Sequence, residues 1–207
     1  MEFTHLLPKE IEKTSFAIIE GELEERGIRV EEDKKPVLYR VIHTTADFEY
    51  VDTMIFSDQA LEKAKEAIQR GAHIITDTQM AYAGINKRRL ADFGGEVHCY
   101  MADEDVAKEA KERRQTRAMV SMEKALRRKG ELIFAIGNAP TALLRLKEAV
   151  DQGARPALII GVPVGFVNVT AAKELILQTK IPYIVNRGRK GGSNVAAAIC
   201  NALLYSI

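Results

Sequence analysis

Short runs of apolar residues alternate with longer stretches of helical periodicity along most of the chain. The first helical stretch runs from Lys9 to about Arg26, and Gly27 is a suitable residue to end it. Six apolar runs follow, and we predict a strand for each of them, at residues 37–42, 73–76, 97–101, 132–136, 157–160 and 183–185. We predict helices in most of the gaps, at residues 57–70, 104–128, 141–152, 170–178 and 193–204.

The predicted strands are short and do not alternate with polar residues, as expected for strands that are buried on both faces of a parallel sheet. We therefore predict an α/β fold with three layers, in which helices cover both faces of a doubly wound, mostly parallel sheet of 5–6 strands. Residues 1–207 contain no internal repeat and no linker, which favours a single domain. The last helix is apolar on nearly all sides, so we expect it in the core or against a partner.

Composition narrows the class of protein. The formal net charge is +1, with 30 basic and 29 acidic residues, so we expect no nucleic-acid partner and no membrane surface. We find no apolar run of the roughly 20 residues that a membrane span needs, and no secretory signal at the amino end, so we expect a cytoplasmic protein. Cys99 and Cys200 lie in unrelated segments, and we expect both to be reduced and structural.

The unusual residues gather directly after the predicted strands. His43 and Thr44 follow the first strand, Thr78 and Met80 follow the second, and Asn138 follows the fourth. Glycine-rich segments follow the last two strands, at residues 161–166 and 186–194. In open α/β sheets, ligands bind at the carboxyl ends of the strands, so we expect the functional site there.

The segment 189–194 allows two interpretations. Gly191 and Gly192 permit close backbone approach, and Arg189 and Lys190 together with a helix amino terminus would attract an anion. The same residues also make an ordinary turn before a helix that Ser193 would cap. The spacing matches neither a P-loop nor a dinucleotide-binding loop.

Two other segments carry polar groups of interest. Residues 138–141, Asn-Ala-Pro-Thr, are typical of a helix start, a role that needs no ligand. The stretch 104–128 is rich in charge and is expected to be mostly a solvated face, with Arg117 as its one candidate for binding an anionic ligand.

His43 is the best candidate for proton transfer. It is the one histidine predicted at the carboxyl end of a strand, beside hydroxyl groups and an acid, and Arg40 precedes it by three residues. A lone histidine is often structural, and the sequence leaves both roles open. The ordinary pKa of a histidine, about 6.5, suits proton donation and recovery near neutrality, and Asp47 is a candidate to orient the ring.

Several long motifs in order carry a family resemblance. The segments 40–48 (RVIHTTADF), 76–80 (TDTQM), 84–87 (GINK), 93–95 (FGG), 137–143 (GNAPTAL), 161–167 (GVPVGFV) and 188–198 (GRKGGSNVAAA) resemble the precorrin-8X methylmutases, also called cobalt-precorrin-8 methylmutases. The resemblance covers essentially the whole chain. One departure is the pair Ala171-Ala172 before Lys173, where the family commonly has Glu-Ser, and this puts a polar contact or helix cap from those positions in doubt.

The resemblance implies a flavodoxin-like fold, a homodimer and one reaction of cobalamin biosynthesis. In that reaction a methyl group moves from C-11 to C-12 of a tetrapyrrole macrocycle without an external donor, an organic cofactor or a protein-bound metal. His43 corresponds to the family's catalytic histidine, and Arg40 to its substrate-binding arginine. The substrate-binding residues expected in this chain are Ser15, Arg40, Thr44, Thr78, Met80, Arg117, Asn138, Thr141, Arg189, Lys190, Gly191, Gly192 and Ser193.

Three alternatives remain at this point: a different flavodoxin-like tetrapyrrole enzyme, a carrier that holds the macrocycle and passes it on, and a regulatory α/β domain. The loops would serve a carrier as well as an enzyme, so His43 discriminates between those two. A regulatory domain would not need anion-binding loops at several strand ends.

Overall fold

The computed structural model of the protein describes residues 8–207, with side chains from residue 10 onward. The described residues contain a six-stranded sheet with the order β1-β6-β5-β4-β2-β3. Only the edge strand β1 is antiparallel, against β6. The strands are β1 (Met54–Phe56), β2 (His73–Thr76), β3 (Val97–His98), β4 (Leu132–Ile136), β5 (Leu158–Gly161) and β6 (Tyr183–Asn186).

Helices cover both faces of this sheet. They are α1 (Pro8–Glu25), α2 (Lys35–Thr45), α3 (Tyr50–Thr53), α4 (Ala60–Gln69), α5 (Gln79–Gly84), α6 (Lys87–Ala91), α7 (Glu104–Glu112), α8 (Arg117–Leu126), α9 (Pro140–Asp151), α10 (Val169–Leu177) and α11 (Ser193–Tyr205). None of the described helices is long and apolar enough to cross a lipid bilayer.

The five parallel strands confirm the predicted fold class. Without β1, their spatial order is β3-β2-β4-β5-β6, which is the 2-1-3-4-5 order of flavodoxin-like sheets. From β2 the chain adds β3 on one side of the sheet, and from β4 onward it adds strands on the other side, so the strand order reverses between β2 and β4. In doubly wound sheets, the crevice at such a switch point is where ligands bind.

The first predicted strand is wrong, because residues 37–42 belong to helix α2. The buried residues of that segment include Val37, Leu38, Val41 and Ile42, which is the spacing of one helical face. Pro36 lies in the first helical turn, where its missing N–H has no intrahelical partner to lose. The run is apolar enough to fit either period, and tertiary packing against α11 and α1 decides for the helix.

Other differences are smaller. The antiparallel edge strand β1 was not predicted, and its three residues are too few to show a period. The segment 104–128 forms two helices, α7 and α8, because Arg114 adopts the left-handed conformation and the Thr116 hydroxyl caps α8 by accepting from the Met119 N–H. The third strand ends at His98 instead of residue 101.

The last helix, α11, is buried within the chain. Nine of its thirteen residues are buried, and it packs against α2, α4 and α5 on one face of the sheet. Its apolar surface is therefore used in the core, and it gives no separate support for an interface with a partner. On the opposite face, α8, α9 and α10 cover a second cluster centred on Phe134 and Leu143.

Candidate functional site

A buried carboxylate spans the switch point of the sheet. Asp77 directly follows β2 and is only 1% exposed. Its side chain accepts hydrogen bonds from the N–H groups of Gly137 (2.8 Å), Asn138 (2.8 Å) and Ala139 (2.6 Å), which follow β4 and lead into α9. Burial raises the pKa of the Asp77 carboxyl, and the three N–H groups act against that rise.

The start of α11 is held at the same point. The hydroxyl groups of Thr78 and Ser193 lie 2.7 Å apart, and Thr78 also caps α5 by accepting from the Ala81 N–H. Gly137 permits the close approach, because a Cβ there would lie 2.7 Å from the Ser193 Cα. The predicted residues Thr78, Asn138 and Ser193 are thus brought together, and the amino ends of α9 and α11 converge beside them.

The loop between β6 and α11 carries the two predicted basic residues, Arg189 and Lys190. Lys190 is already paired with acidic side chains, whereas Arg189 has no such partner among the described residues. Lys190 donates to the carboxylates of Asp47 (2.5 Å) and Glu49 (2.8 Å), and these hydrogen bonds raise its pKa. Arg189 is exposed, with its guanidinium 5.2 Å from the centroid of the Phe166 ring. Arg189 is therefore the better placed of the two for an anionic ligand, which would have to compete with two acids for Lys190.

His43 lies in the last turn of α2, not at the end of a strand as predicted. The ring is exposed and packs edge-on against Phe16 of α1, with 5.9 Å between the centroids. The carboxylate of Asp47 binds Lys190 and the Glu49 N–H, and within residues 8–207 it makes no hydrogen bond to His43. Asp47 therefore does not orient His43 as expected. Instead, its ion pair with Lys190 connects the end of α2 to the β6–α11 loop.

Helix α2, which carries His43, and helix α11, which packs against it, run in opposite directions. Lys190, just before α11, reaches Asp47, just after α2. At the other end, the guanidinium of Arg40 lies 4.8 Å from the ring centroid of Tyr205 in the last turn of α11. The carboxyl end of α2, and His43 with it, therefore lies toward the edge of the sheet where the polar loops meet.

Arg40 is one helical turn from His43 and is already paired. It makes two hydrogen bonds to Glu12 of α1, at 2.7 and 3.2 Å, and these lower the pKa of the Glu12 carboxyl. Its guanidinium also lies 5.5 Å from the Phe16 ring, so Phe16 contacts both Arg40 and His43. A shallow cavity of about 500 Å³ is lined by Glu12, Phe16, Arg40 and Tyr205.

The remaining predicted residues lie either near His43 and Arg40 or near the start of α9. The Ser15 hydroxyl donates to the Ile11 carbonyl within α1, at 2.8 Å, and Thr44 is exposed beside His43. Thr141 of α9 lies 2.9 Å from the hydroxyl of Thr116, the cap of the helix that Arg117 begins. Met80 is 70% exposed in α5.

Three features of the site were missed from the sequence. Phe16 is one of several apolar residues in the first helical stretch, and nothing in the pattern distinguishes it from the others. Lys173 is a charged residue inside an apolar helical segment, and Asp77 directly follows an apolar strand. A charge next to residues expected to be buried is a signal that could have selected both. Ala171 is exposed and Ala172 is buried in the first turn of α10, whose preceding residue, Asn168, makes no side-chain cap.

Two other places in the described residues have the form of a site without its chemistry. A cavity of about 670 Å³ opens near Phe56, Ser57 and Lys65, and it contains none of the predicted site residues. It lies at the edge of the sheet opposite the carboxyl ends of the parallel strands, because β1 is antiparallel to β6 and ends there.

A cluster of His73, Glu96 and His98 has the composition of a metal site. However, the Nδ1 atom of His73 accepts the Glu96 N–H at 3.1 Å, and Arg128 lies 4.0 Å from the Glu96 carboxylate. Burial lowers the pKa of His98, and the charge of Arg128 acts in the same direction. The neutral form of His98 could bind a metal, but the charge of Arg128 and the occupied Nδ1 atom of His73 act against an added cation, so we assign no metal centre to this cluster.

The fold and the site together define a class of protein. A flavodoxin-like sheet carries polar loops and two helix amino ends at its switch point, with an exposed histidine on the flanking helix. This is an arrangement for binding an anionic organic ligand.

Comparison with known proteins identifies the family. The precorrin-8X methylmutase family (CbiC) matches residues 10–206. The cobalt-precorrin-8 methylmutase of Priestia megaterium is 44% identical over 197 residues, which cover 95% of this chain and 87% of that protein. The precorrin-8X methylmutase of Pseudomonas aeruginosa is 39% identical, with 93% of each chain covered.

A solved structure agrees with this. The precorrin-8x methyl mutase of Thermus thermophilus superposes with a TM-score of 0.85 at 42% identity, covering 94% of this chain and 96% of that one. The chain belongs to the precorrin-8X methylmutase family. It is therefore an isomerase of the kind that moves a methyl group within its substrate.

Replacement of Asp77 by Asn tests the carboxylate at the switch point. An amide has one acceptor oxygen for three N–H groups and adds donors that face them, so at least one buried group loses its partner. Each such loss costs about 1–3 kcal/mol, and we expect the free energy of unfolding to fall by that amount or more. Urea denaturation measures it, with Asp151→Asn, on the exposed end of α9, as the matched control. Equal stability of the two variants would contradict this account of Asp77.

Proposed function

We propose that this protein moves the methyl group on C-11 of precorrin-8X, or of its cobalt-containing form, to the neighbouring C-12, with His43 as the proton donor and acceptor. The products are hydrogenobyrinate and cobyrinate, respectively. The observation that carries the proposal is the exposed imidazole of His43 at the end of α2, on the side of the sheet where the anion-binding loops meet, in a chain of this family.

The reaction explains why so few reactive groups are needed. The bond from C-11 to the methyl carbon breaks as the bond from C-12 forms, and the conjugated double bonds of the ring shift in response. No atom is gained or lost, so the protein supplies neither a nucleophile nor an oxidant. A proton held by His43 near a ring nitrogen would favour the shift of electrons, and its return to the imidazole would complete the cycle.

The substrate's chemistry matches the polar loops. A macrocycle fringed with carboxylates needs several separate anion sites. The amino ends of α8 and α11 provide N–H groups at the same edge of the sheet, and polar side chains at the start of α9 lie beside them. Arg117 begins α8, Asn138 and Thr141 lie at the start of α9, and Arg189 and Ser193 precede or begin α11. We propose these residues for the carboxylates of the ring.

The apolar ring system needs flat contact surfaces. Phe166 is 81% exposed, Val167 is 76% exposed, and Met80 is 70% exposed, all in loops or short helices after the carboxyl ends of β5 and β2. Exposed apolar side chains in one region mark a binding surface. We propose that they contact the faces of the macrocycle or are covered by a second copy of the chain.

A homodimer is the second part of the proposal. Ile11 (50% exposed) and Ile18 (57% exposed) lie seven residues apart and therefore on one face of α1, next to the helix that carries His43. A two-fold interface there would bury the same patch of both copies and would enclose the surroundings of His43.

Substitution of His43 separates an enzyme from a carrier. His43→Ala is expected to fold and to bind the macrocycle but to lose about 10²–10⁴-fold in rate, the usual contribution of a general acid or base. His43→Asn keeps a donor that cannot become a cation, so its residual rate measures polarisation alone. The readout is single-turnover absorbance with each of the two substrates, with circular dichroism to confirm folding. Turnover of His43→Ala within about threefold of the unmodified protein would remove His43 from catalysis.

Substitution of the arginines tests carboxylate binding. Arg189→Gln and Arg40→Gln are each expected to weaken substrate binding by about 1.5–3 kcal/mol where the contact is shielded from water, and by less where it is exposed. Arg155→Gln is the matched control, because Arg155 lies before β5 at the opposite edge of the sheet. Equilibrium absorbance titration gives the dissociation constants. Unchanged binding in both site variants would place the carboxylates elsewhere.

Light scattering tests the homodimer. At micromolar concentration the protein is expected at twice 23.0 kDa. Ile18→Glu puts a charge into the proposed interface and should shift the mass toward one chain, whereas Lys180→Glu on the other side of the sheet should not. A fully active monomer would overturn this part of the proposal.

A further inference from the structure

The loop between β6 and α11 turns its carbonyl groups toward the interior. The Arg187 carbonyl accepts from the Asn186 side chain (3.2 Å), and the Arg189 carbonyl accepts from the Gly165 N–H (3.1 Å). Between them, the Gly188 carbonyl accepts from the Nζ atom of Lys173 at 2.9 Å. The Lys190 carbonyl accepts from both Lys173 (2.8 Å) and Asn186 (3.0 Å). Four consecutive carbonyl oxygens are therefore used by the protein itself.

The N–H groups of the same loop are treated differently. Within residues 8–207, the N–H groups of residues 188–191 have no hydrogen-bond acceptor. Gly188 (φ +76°) and Gly191 (φ +155°) have backbone conformations that other residues rarely adopt, which makes this arrangement of the chain possible. Successive N–H groups without an acceptor inside the protein are free to bind an anion.

Lys173 holds this loop from behind. The residue is 0% exposed, in α10, and its ammonium is in no ion pair with a described carboxylate. It thus lies beneath the loop as a buried positive charge whose hydrogen bonds go to two loop carbonyls. A buried charge of this kind is expensive for folding, and methionine or another apolar side chain would fill the same space without the penalty.

We propose that Lys173 is a positioning residue for substrate binding, which fixes the Gly188 and Lys190 carbonyls so that the loop presents its N–H groups, and a positive potential, to a carboxylate of the macrocycle. This inference rests on the proposed function. Because Lys173 is buried, it acts on the substrate through the loop and makes no contact with it.

The charge of Lys173 can be varied without mutation. Burial lowers its pKa to about 8, whereas the pKa of Lys190 is raised by Asp47 and Glu49, so Lys190 stays charged when Lys173 loses its proton. The other charged groups of α10 and of this loop are Glu174, which pairs with Arg187 at 3.3 Å, and Arg189. The charged residues of α9, which packs against α10, are in ion pairs of their own and are Arg145, Lys147, Glu148 and Asp151. Guanidinium groups stay charged throughout this range.

Loss of the Lys173 proton is expected to have opposite effects on two quantities: it raises the stability of the folded chain and weakens the hydrogen bonds that hold the loop. Because the pKa of Lys173 is lower in the folded than in the unfolded chain, the unfolded chain binds more protons above pH 8, and stability rises with pH there. A loss of affinity over that range is therefore not a sign of unfolding. Neutral Lys173 keeps N–H donors but loses the charge assistance that about doubles the strength of such bonds.

The first experiment compares Lys173→Met with the unmodified protein and with Lys180→Met, a matched change after α10 at the opposite edge of the sheet. We expect Lys173→Met to raise KM about tenfold, as for one charge-assisted contact, and to leave kcat within about twofold. In the unmodified protein, the dissociation constant of the product cobyrinate should rise about threefold from pH 7 to pH 9.5, and in Lys173→Met it should not. An unchanged KM together with the same pH profile in both proteins would overturn the proposal.

The second experiment does not depend on catalysis. Amide hydrogen exchange should show lower protection of Arg187 and Gly192, whose N–H groups bond to the carbonyls of Thr53 and Val162, in Lys173→Met, with unchanged protection in β4 and β5. In the unmodified protein, protection of these two amides should fall above pH 8 after correction for intrinsic exchange. If the unmodified protein has no methylmutase turnover, the proposed function fails, and hydrogen exchange still decides the role of Lys173. If Lys173→Met does not fold, the pH series decides it, and constant protection across pH 8 would refute the proposal.

Discussion

The site depends first on the three N–H groups that Asp77 satisfies at the switch point. Where β2 and β4 diverge, the backbone after β4 has no neighbouring strand to pair with, yet Gly137 and Ala139 are buried there. Unpaired buried N–H groups are costly, and one carboxylate removes the problem for three of them. With this segment fixed, the start of α9 and the contact of Gly137 with Ser193 are fixed as well, and hence the position of α11.

The same principle recurs at the β6–α11 loop with the polarity reversed. Asp77 accepts from N–H groups, whereas Lys173 and Asn186 donate to carbonyl groups. In both places a buried polar side chain binds one set of backbone groups and so fixes the path of a loop at the crevice. The charged surface of the site is thus prepared by residues that do not reach it, and this explains why its most buried ionisable residues lie directly behind its most exposed loops.

The sequence predicts the centre of the sheet better than its edges. The runs at 73–76 and 132–136 match β2 and β4, because strands buried on both faces are continuous and apolar. Residues 37–42 are also nearly continuous and apolar, and only their packing shows that Val37, Leu38, Val41 and Ile42 form a helical face. His43 was predicted at the carboxyl end of a strand, and it lies at the carboxyl end of a helix instead.

The partners of the charged residues could not be predicted, for a physical reason. Arg40 binds Glu12, 28 residues away, and Lys190 binds Asp47, 143 residues away, so no local spacing reveals either pair. Glycine-rich loops, by contrast, have a local signature, because the need for a left-handed backbone selects the residue type at the position itself. The special backbone conformations of Gly191 and Gly192 could therefore be predicted, whereas the pairing of Lys190 with Asp47 and Glu49 could not.

The close approach of Gly137 to the start of α11 limits how this site can change during evolution. A Cβ at residue 137 would lie 2.8 Å from the Gly192 carbonyl oxygen, so even alanine would force the two segments apart. The contact between Gly137 and the start of α11 is made by main chain, whose chemistry is the same whatever side chains surround it. A binding surface of this kind tolerates drift in the neighbouring sequence, but it cannot be adapted to a new ligand by single substitutions. New specificity would require a change in the length or path of a whole loop, which makes this part of the fold conservative in function even where its sequence varies.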